Sequence, residues 1–496
     1  MKEKYAIRLR TACIMITVFI GLTISGCKKF VNIAPPDTTL SQANVYSTDV
    51  TAAAVLTGIY ASISSADNPL SVDGGLTGLT FGLGLSADEL TLYDQTNSQL
   101  VAYYSNNLDP VNNVSNYWSN FYGIIYQINL AIQGLNSSSG LTPAVKSQLL
   151  GEAYFTRSLY YFYLVNLYGN VPLALTPDYK TNAVLPRTPV SQVYQQLIAD
   201  LITAKGLLSA NFLESDALTA YSPSTAQRVR PTKWAAEALL ARIYLFSKDF
   251  PDAYALADSV IGNSSLFGLD SLPNVFLANS SETIFSFQPV NTSPSANTGA
   301  GDLFVLPSTG PNTSGNYPVY LSSYVINSFE PGDLRRVNWV DSVITGGTTY
   351  YFPYKYKMGA GSSSTTENIM VLRLGELYLV RAEAQAMGAG NSGTGALADV
   401  NAIRQRAGLQ TLSNNLNQSQ IVDTIQHERQ VELFTEWGDR WLNLIRTGNI
   451  NNIMGTPGLN ICAAKGGTWN SDLALFPIPE SEIILNPQLV QNPGYQ

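Results

Sequence analysis

The sequence predicts a mainly α fold, a tetratricopeptide-like helical repeat scaffold with a loop-rich, minor-β elaboration. Three observations carry that prediction. Apolar residues recur at spacings of three and four through long stretches of both halves. Ala-Leu-Ala-Asp occurs at 255–258 and again at 396–399, each time after a helix that carries a Tyr-Leu pair. Between the helical stretches lie runs rich in Gly, Ser, Asn and Pro.

The elements follow in chain order. Thr51–Ser62 reads as a helix, and residues 64–115 read as loop. Tyr117–Leu135 is helical, with Trp118, Phe121, Ile125, Ile128 and Ile132 on one face. A strong helix spans Pro143–Tyr168, with Pro at its start and Gly169-Asn170 and Pro172 at its end. Another runs from Pro189 to about Leu208. Thr232–Ser247 and Asp252–Ile261 form a pair. Residues 263–365 read as loop with short β pieces such as Thr283–Phe287. Helices resume at 368–387, 396–407 and 419–437, the last continuing to Arg446, and the tail is loop-like. The Tyr-Leu pairs are Tyr163-Leu164, Tyr244-Leu245 and Tyr378-Leu379. Small alanines facing large residues across paired antiparallel helices are how tetratricopeptide-type units pack.

The amino terminus has the layout of a bacterial lipoprotein signal. Lys2, Lys4, Arg8 and Arg10 precede an apolar stretch over residues 11–24, too short to span a bilayer comfortably, and Ile24-Ser25-Gly26 leads into Cys27. Residues 1–26 are expected to be removed, leaving Cys27 lipidated and the chain anchored by its acyl groups. Residues 28–50, with Pro35-Pro36, read as an extended tether.

Composition excludes several function classes. The chain has 496 residues, is 45% hydrophobic and only 13% charged, and so can bury a large core. Its formal charge is −8; residues 1–26 carry four basic and one acidic side chain, so the remainder carries about −11. That balance disfavours nucleic acid as a partner. Of Cys13, Cys27 and Cys462, the signal takes one and lipid another, so Cys462 has no intramolecular partner. With a single histidine, His427, multi-histidine zinc sites are excluded, and a Ser-His-Asp triad could use only that residue. No Gly-Lys-Ser/Thr phosphate loop or Gly-x-Ser-x-Gly elbow is present. No cofactor is implied.

Glu428, Glu432 and Glu436 are spaced by four, along one predicted helix face. Arg404, Arg406, Arg429, Arg440 and Arg446 complement them, and helix-locking ion pairs are the expected outcome rather than a metal site. Asp88-Glu89 follows the glycine-rich run Gly74–Gly84. Adjacent acids point in different directions, which suits a ligand hydrogen bond better than a hydrolase pair.

Aromatic residues are abundant, with 28 Tyr, 18 Phe and 6 Trp. Three groups fall in stretches read as loop: Tyr93 with Tyr103-Tyr104, then Trp339, then Tyr350-Tyr351 with Tyr354. Rings on irregular segments can stack on the C–H faces of sugars while nearby polar side chains bond the hydroxyls. Tyr93, Tyr103, Tyr104, Trp339, Tyr350, Tyr351 and Asp88 are therefore the candidate ligand-binding residues.

A series of motifs gives the chain a family resemblance. Glu152-Ala153-Tyr154-Phe155-Thr156-Arg157 leads to Tyr168-Gly169-Asn170-Val171-Pro172, and Arg187-Thr188-Pro189 follows. Arg373-Leu374-Gly375-Glu376-Leu377-Tyr378-Leu379 precedes Asn401-Ala402-Ile403-Arg404-Gln405-Arg406-Ala407-Gly408. Glu428-Arg429, Gly438-Asp439-Arg440-Trp441, Phe476-Pro477-Ile478-Pro479 and Asn492-Pro493-Gly494-Tyr495 complete the series. In this order, behind a lipoprotein signal, they resemble the SusD/RagB family of Bacteroidetes outer-membrane nutrient-binding lipoproteins. The resemblance implies a non-catalytic cell-surface protein that binds oligosaccharide or polysaccharide and delivers it to a SusC-like TonB-dependent transporter. A peptide or other nutrient in the same kind of complex is the alternative, and a scaffold without a small ligand is a further one. It divides the chain into the signal at 1–26, an N-terminal helical region at 27–262 and a C-terminal region at 263–496 with a loop-rich insert at 263–365. The chain departs from some relatives after Cys27, where Lys28-Lys29-Phe30 replaces their acidic export signal.

Overall fold

The computed structural model describes residues 45–495 except 66–77, 113–114, 223–224, 291–295, 362–363, 391–392 and 457–458. The chain divides after Val45, and Tyr46–Gln496 form the unit that carries the structure described below. Cys27, the signal at 1–26 and the tether up to residue 44 lie outside the described residues, as does the start of the Gly74–Gly84 run.

Eight long helices stack in sequence: Tyr117–Ser137, Pro143–Tyr168, Val190–Leu207, Lys233–Phe246, Phe250–Ile261, Leu374–Ala386, Gly393–Arg406 and Gln418–Glu432. Each packs on the next, and Phe250–Ile261 packs directly on Leu374–Ala386 across the intervening loops. Stacked helix pairs with this order are the tetratricopeptide-like scaffold that the repeats predict. Asp49–Ser65 packs on the first two members. Its Asp49 carboxylate accepts from Thr142 N and Oγ1 at 2.9 and 2.6 Å, tying it to the start of the Pro143–Tyr168 helix.

That helix is the axis of the molecule. Its 26 residues span about 39 Å at 1.5 Å per residue, and most of its side chains are buried because other elements surround it. Phe155 meets Phe285, Tyr160 meets Phe121 and Phe162 meets Phe246, with centroids 4.9–5.2 Å apart. Charges inside this core are paired. Glu152 takes Arg230 at 2.8 Å, and the Arg157 fork holds Asp200 of the neighbouring helix at 2.8 and 2.9 Å.

Among the described residues six strands make three antiparallel pairs, β1 (Leu90–Leu92) with β3 (Val319–Leu321), β2 (Thr283–Phe287) with β6 (Ile369–Arg373), and β4 (Val340–Thr345) with β5 (Thr348–Pro353). The last pair is a hairpin closed by Gly346-Gly347, at φ 59° and 79°. That is the two-residue turn with positive φ at both positions that matches strand twist.

Several expectations need correction. Residues 263–365 hold the short helices Gly299–Phe304, Ser323–Ser328 and Arg335–Asn338 besides strands, and the tail expected as loop holds Ile450–Met454, Ile461–Ala464 and Glu480–Leu485. Residues 64–115 are not simply loop: they contain helices Leu79–Ser86 and Ser98–Tyr104 and strand β1. Ile369–Arg373 is strand, not helix, because β2 offers an unpaired edge and every one of these side chains is buried. The helix expected over 419–437 ends at Glu432, and a new one begins at Asp439. Between them Thr435, Trp437 and Gly438 take φ of 51°, 52° and 69°. A side chain at Gly438 would drive its Cβ to 2.2 Å from Leu83, so only glycine permits this close approach.

The break moves Glu436 off the face shared by Glu428 and Glu432. All three still enter one buried network. Glu432 accepts from Arg373 at 2.7 Å, Arg335 at 3.1 Å and Arg406. Glu428 accepts from Arg335 at 2.9 Å and Arg404 at 2.8 Å. Glu282 bridges Arg373 and Arg406, each at 2.8 Å, while Glu436 holds Arg373 and Lys355. Of the five arginines expected here, Arg404 and Arg406 take part. Arg429, Arg440 and Arg446 pair instead with Asp439, Asp88 and Glu383. His427 places Nε2 2.8 Å from the Ser328 carbonyl.

Removing one member of a buried ion network leaves its partners' charges unmatched, at a cost of about 3–5 kcal/mol. Glu432→Leu should therefore lower the unfolding free energy by an amount in that range, read as a lower urea midpoint multiplied by the slope. An exposed control such as Glu480→Leu should leave the midpoint within error.

Candidate functional site

Strand alternation decides which aromatic residues can meet. β1 and β3 pair with Thr91 opposite Tyr320, and β3 also lies against β5. Tyr93, just past β1, donates its backbone N–H to Pro318 O at 2.7 Å. The result is a ledge of tyrosines. The Tyr350 ring stands edge-to-face with Tyr93 at 5.8 Å and with Tyr320 at 5.1 Å. Thr91 lies beside both the Tyr104 and Tyr320 phenols, and Tyr324 lies near Tyr104. Tyr93 is 39% exposed and Tyr324 36%, while Tyr104, Tyr320 and Tyr350 are half-buried. Gly310 brings a loop against Tyr350, where an added Cβ would lie 3.7 Å from the ring. Two residues on, Asn312 accepts from Ser314.

Burial raises the Tyr104 and Tyr320 phenols above their ordinary range, with neighbouring tyrosines adding to the effect. The phenols stay protonated at neutral pH and can both donate and accept hydrogen bonds.

Other candidates lie elsewhere. Tyr103 is fully buried, its ring against Tyr117 and Phe476 at 6.5 and 5.8 Å. Trp339 is also fully buried: it donates Nε1–H to Leu272 O at 2.8 Å and lies over Lys355, Arg406 and Arg373 of the ion network. Both are core residues in these positions. Tyr351 follows Tyr350 on a strand and so faces the other way, beneath the Arg336 guanidinium at 4.4 Å. Asp88 is buried rather than presented to solvent. Burial works to raise its carboxyl, but the bidentate pair with Arg440, at 2.8 and 2.7 Å, outweighs this and holds it below the usual range.

Asp88 and Glu89 instead anchor the strand that carries the ledge. Ser322 donates its hydroxyl to the Asp88 carbonyl and its N–H to Glu89 O. Glu89 Oε1 accepts from Thr435 N at 3.0 Å, while Oε2 has no hydrogen-bond partner among the described residues. Lys465 donates to the carbonyls of Leu85, Ser86 and Ala87 at 2.8–2.9 Å, capping helix Leu79–Ser86. It also reaches Tyr104, with Nζ 5.2 Å from the ring centre. Cys462, in the same layer, is fully buried, and burial pushes its thiol up.

The residues that sequence reasoning missed are Tyr320 and Tyr324. They lie in 312–324, where Tyr317, Tyr320 and Tyr324 recur at short intervals among small polar residues. That recurrence was the available signal.

The Glu89 carboxyl is pushed up to about 8, chiefly by burial and further by Asp88, against the Thr435 N–H and Arg440. A carboxyl that ionises only with difficulty in the fold contributes stability that is full below about pH 4.5 and lost as pH rises to about 8. Glu89→Gln keeps the shape and removes the titration. Its melting temperature should match wild type near pH 4.5 and exceed it by a widening margin up to pH 8, beyond which the gap should be constant. Parallel melting curves at every pH would contradict this assignment.

Comparison with known proteins agrees with the scaffold. The sequence model of the SusD family matches residues 312–495. A second, described as starch-binding and associating with the outer membrane, matches residues 85–245. SusD-like protein P2 of Formosa agariphila is 29% identical over 96% of this chain and 98% of its own. A laminarin-binding SusD-like protein superposes with a TM-score of 0.71 at 22% identity, covering 91% of this chain and 100% of that one. Surface glycan-binding protein A of Bacteroides fluxus gives a TM-score of 0.71 at 22% identity, covering 90% and 99%. With the motifs running in order through both matched regions, the chain belongs to the SusD/RagB family.

Proposed function

We propose that this protein is a non-catalytic glycan-binding lipoprotein of the outer-membrane surface, and that the tyrosine ledge holds the sugar. The observation that carries the reading is the Tyr93–Tyr350–Tyr320 cluster on an accessible strand edge. A T-shaped contact covers at most one face of one of its two rings, so the cluster is braced while ring faces stay available to sugar C–H groups. Protonated phenols and the Asn312–Ser314 loop supply hydrogen bonds for hydroxyls. Glycan recognition named for the matched family model and for the laminarin-binding and surface glycan-binding neighbours supports the ligand class.

In this reading Cys27 carries the lipid and a SusC-like TonB-dependent transporter receives the glycan. The acids that a hydrolase would need are structural: Asp88 is paired with Arg440, and Glu89 is enclosed behind it. The protein captures and releases its ligand without breaking a bond.

A glycan array probed with full-length protein in detergent should show one polysaccharide class. Tyr320→Ala/Tyr350→Ala should weaken binding to it tenfold or more, about 1.4 kcal/mol, with the melting temperature little changed. Tyr351→Ala, on the opposite face, should bind as wild type. Undiminished binding by the Tyr320/Tyr350 variant would remove the ledge as the site.

A further inference from the structure

A second concave surface shares no residue with the ledge. It is a cleft of about 360 Å³ between helix Tyr117–Ser137, the segment 172–183 and the C-terminal helix Glu480–Leu485. That volume falls within the range of small-ligand sites. Its floor is apolar and buried, formed by Trp118, Ile125 and Leu489. The floor's polar groups are satisfied internally: Tyr122 donates to Pro172 O at 2.7 Å, and Asn129 bonds Ala174 O and Arg157. Two exposed phenol rings line the opening, Tyr126 at 46% and Tyr179 at 70% exposure.

The chemistry of the lining points to one ligand class. Neither Tyr126 nor Tyr179 gives its hydroxyl to another described residue. Asn182 uses its amide N–H on Thr176 O, which leaves its side-chain oxygen, and Glu482 accepts from Ser119 with one oxygen only. No Lys or Arg lines the cleft, which disfavours an anion. Spare acceptors beside flat aromatic faces suit a molecule with many hydroxyl donors and C–H faces. The frame is also fixed in place: Asp178 caps the Tyr179–Asn182 turn, and Asn486 donates to Leu185 O at 2.9 Å.

We infer that this cleft is a second binding site for a short stretch of neutral glycan, with Tyr126 and Tyr179 as stacking platforms and Asn182 and Glu482 as hydroxyl acceptors. It rests on the reading of the protein as a glycan binder, and gives a long polysaccharide two points of attachment. Two weak sites on one chain raise retention through effective concentration.

The test is affinity electrophoresis of the full-length protein in detergent through gels containing laminarin, starch or xylan. Wild type is compared with Tyr126→Ala/Tyr179→Ala and with Tyr320→Ala/Tyr350→Ala. Tyr126 and Tyr179 are exposed and Tyr320 and Tyr350 half-buried, and thermal melting verifies the fold of each variant. For a polysaccharide that retards wild type, each variant should lose at least threefold in apparent affinity, and the combined variant should run unretarded. Trp118 on the cleft floor provides an independent reading. Short oligosaccharides of that polymer should change tryptophan emission in the ledge variant and not in the cleft variant. Retention equal to wild type in the cleft variant, with loss in the ledge variant, overturns the second site and leaves the first. A cleft variant that keeps glycan retention but no longer co-purifies with a β-barrel partner overturns it in favour of protein docking. Retardation of wild type by none of the polymers overturns both readings.

Discussion

The C-terminal half is organised around the burial of several guanidinium groups beside the carboxylates that pair with them. Glu432 sits at the end of a helix and is enclosed by Arg335, Arg373 and Arg406, with Glu282 and Glu428 sharing the same cations. Isolated, any of these charges would be costly in a protein interior. Together they are mutually satisfied, with charge-assisted bonds to nearly every oxygen. The network also terminates the helix. Arg373 and Lys355 donate to the carbonyl of Glu432, and Lys355 donates also to that of Phe434. Cations on the last carbonyls of a helix are favourable both as hydrogen-bond donors and against the dipole.

The network also bears on the tyrosine ledge. Once the helix stops at Glu432, the chain turns through Thr435–Gly438 and presents the Thr435 N–H to Glu89 and Arg440 to Asp88. Those contacts hold the segment leading into β1, and β1 sets Tyr93 and the pairing with β3 that sets Tyr320. Trp339 lies over the same cations that surround Glu432 and leads directly into the β4–β5 hairpin bearing Tyr350. The ledge is thus assembled from three separate segments, one resting on the network through Trp339 and one held by the turn that follows Glu432.

Legibility in the sequence differed sharply between scaffold and site. The helix Pro143–Tyr168 was readable to the residue because Pro and Gly mark its ends. The strand Thr283–Phe287 was equally clear. The short elements of 79–104 were not, since seven or eight residues give too little periodicity to rise above a glycine-rich background. Ile369–Arg373 looked helical because a fully buried strand beside a helix has no polar face to reveal its period. The tyrosine ledge was half legible. Tyr93, Tyr104 and Tyr350 stood out by type and by their irregular surroundings, whereas Tyr103, Tyr351 and Trp339 carried the same signal and lie buried or on another face.

The sequence by itself determined the helical scaffold, the ion-pairing role of the 428–436 acids and the family, because these rest on local periodicity and on strings of residues read in order. Only the tertiary structure decided which rings share a surface, which cation each carboxylate holds, and that a cleft opens between the Tyr117–Ser137 helix and the C-terminal segment. The physical reason is that side-chain neighbours across long sequence separations follow from chain packing. One residue's shift along a strand sends its ring to the opposite face, and no composition or spacing in the sequence records which face is open.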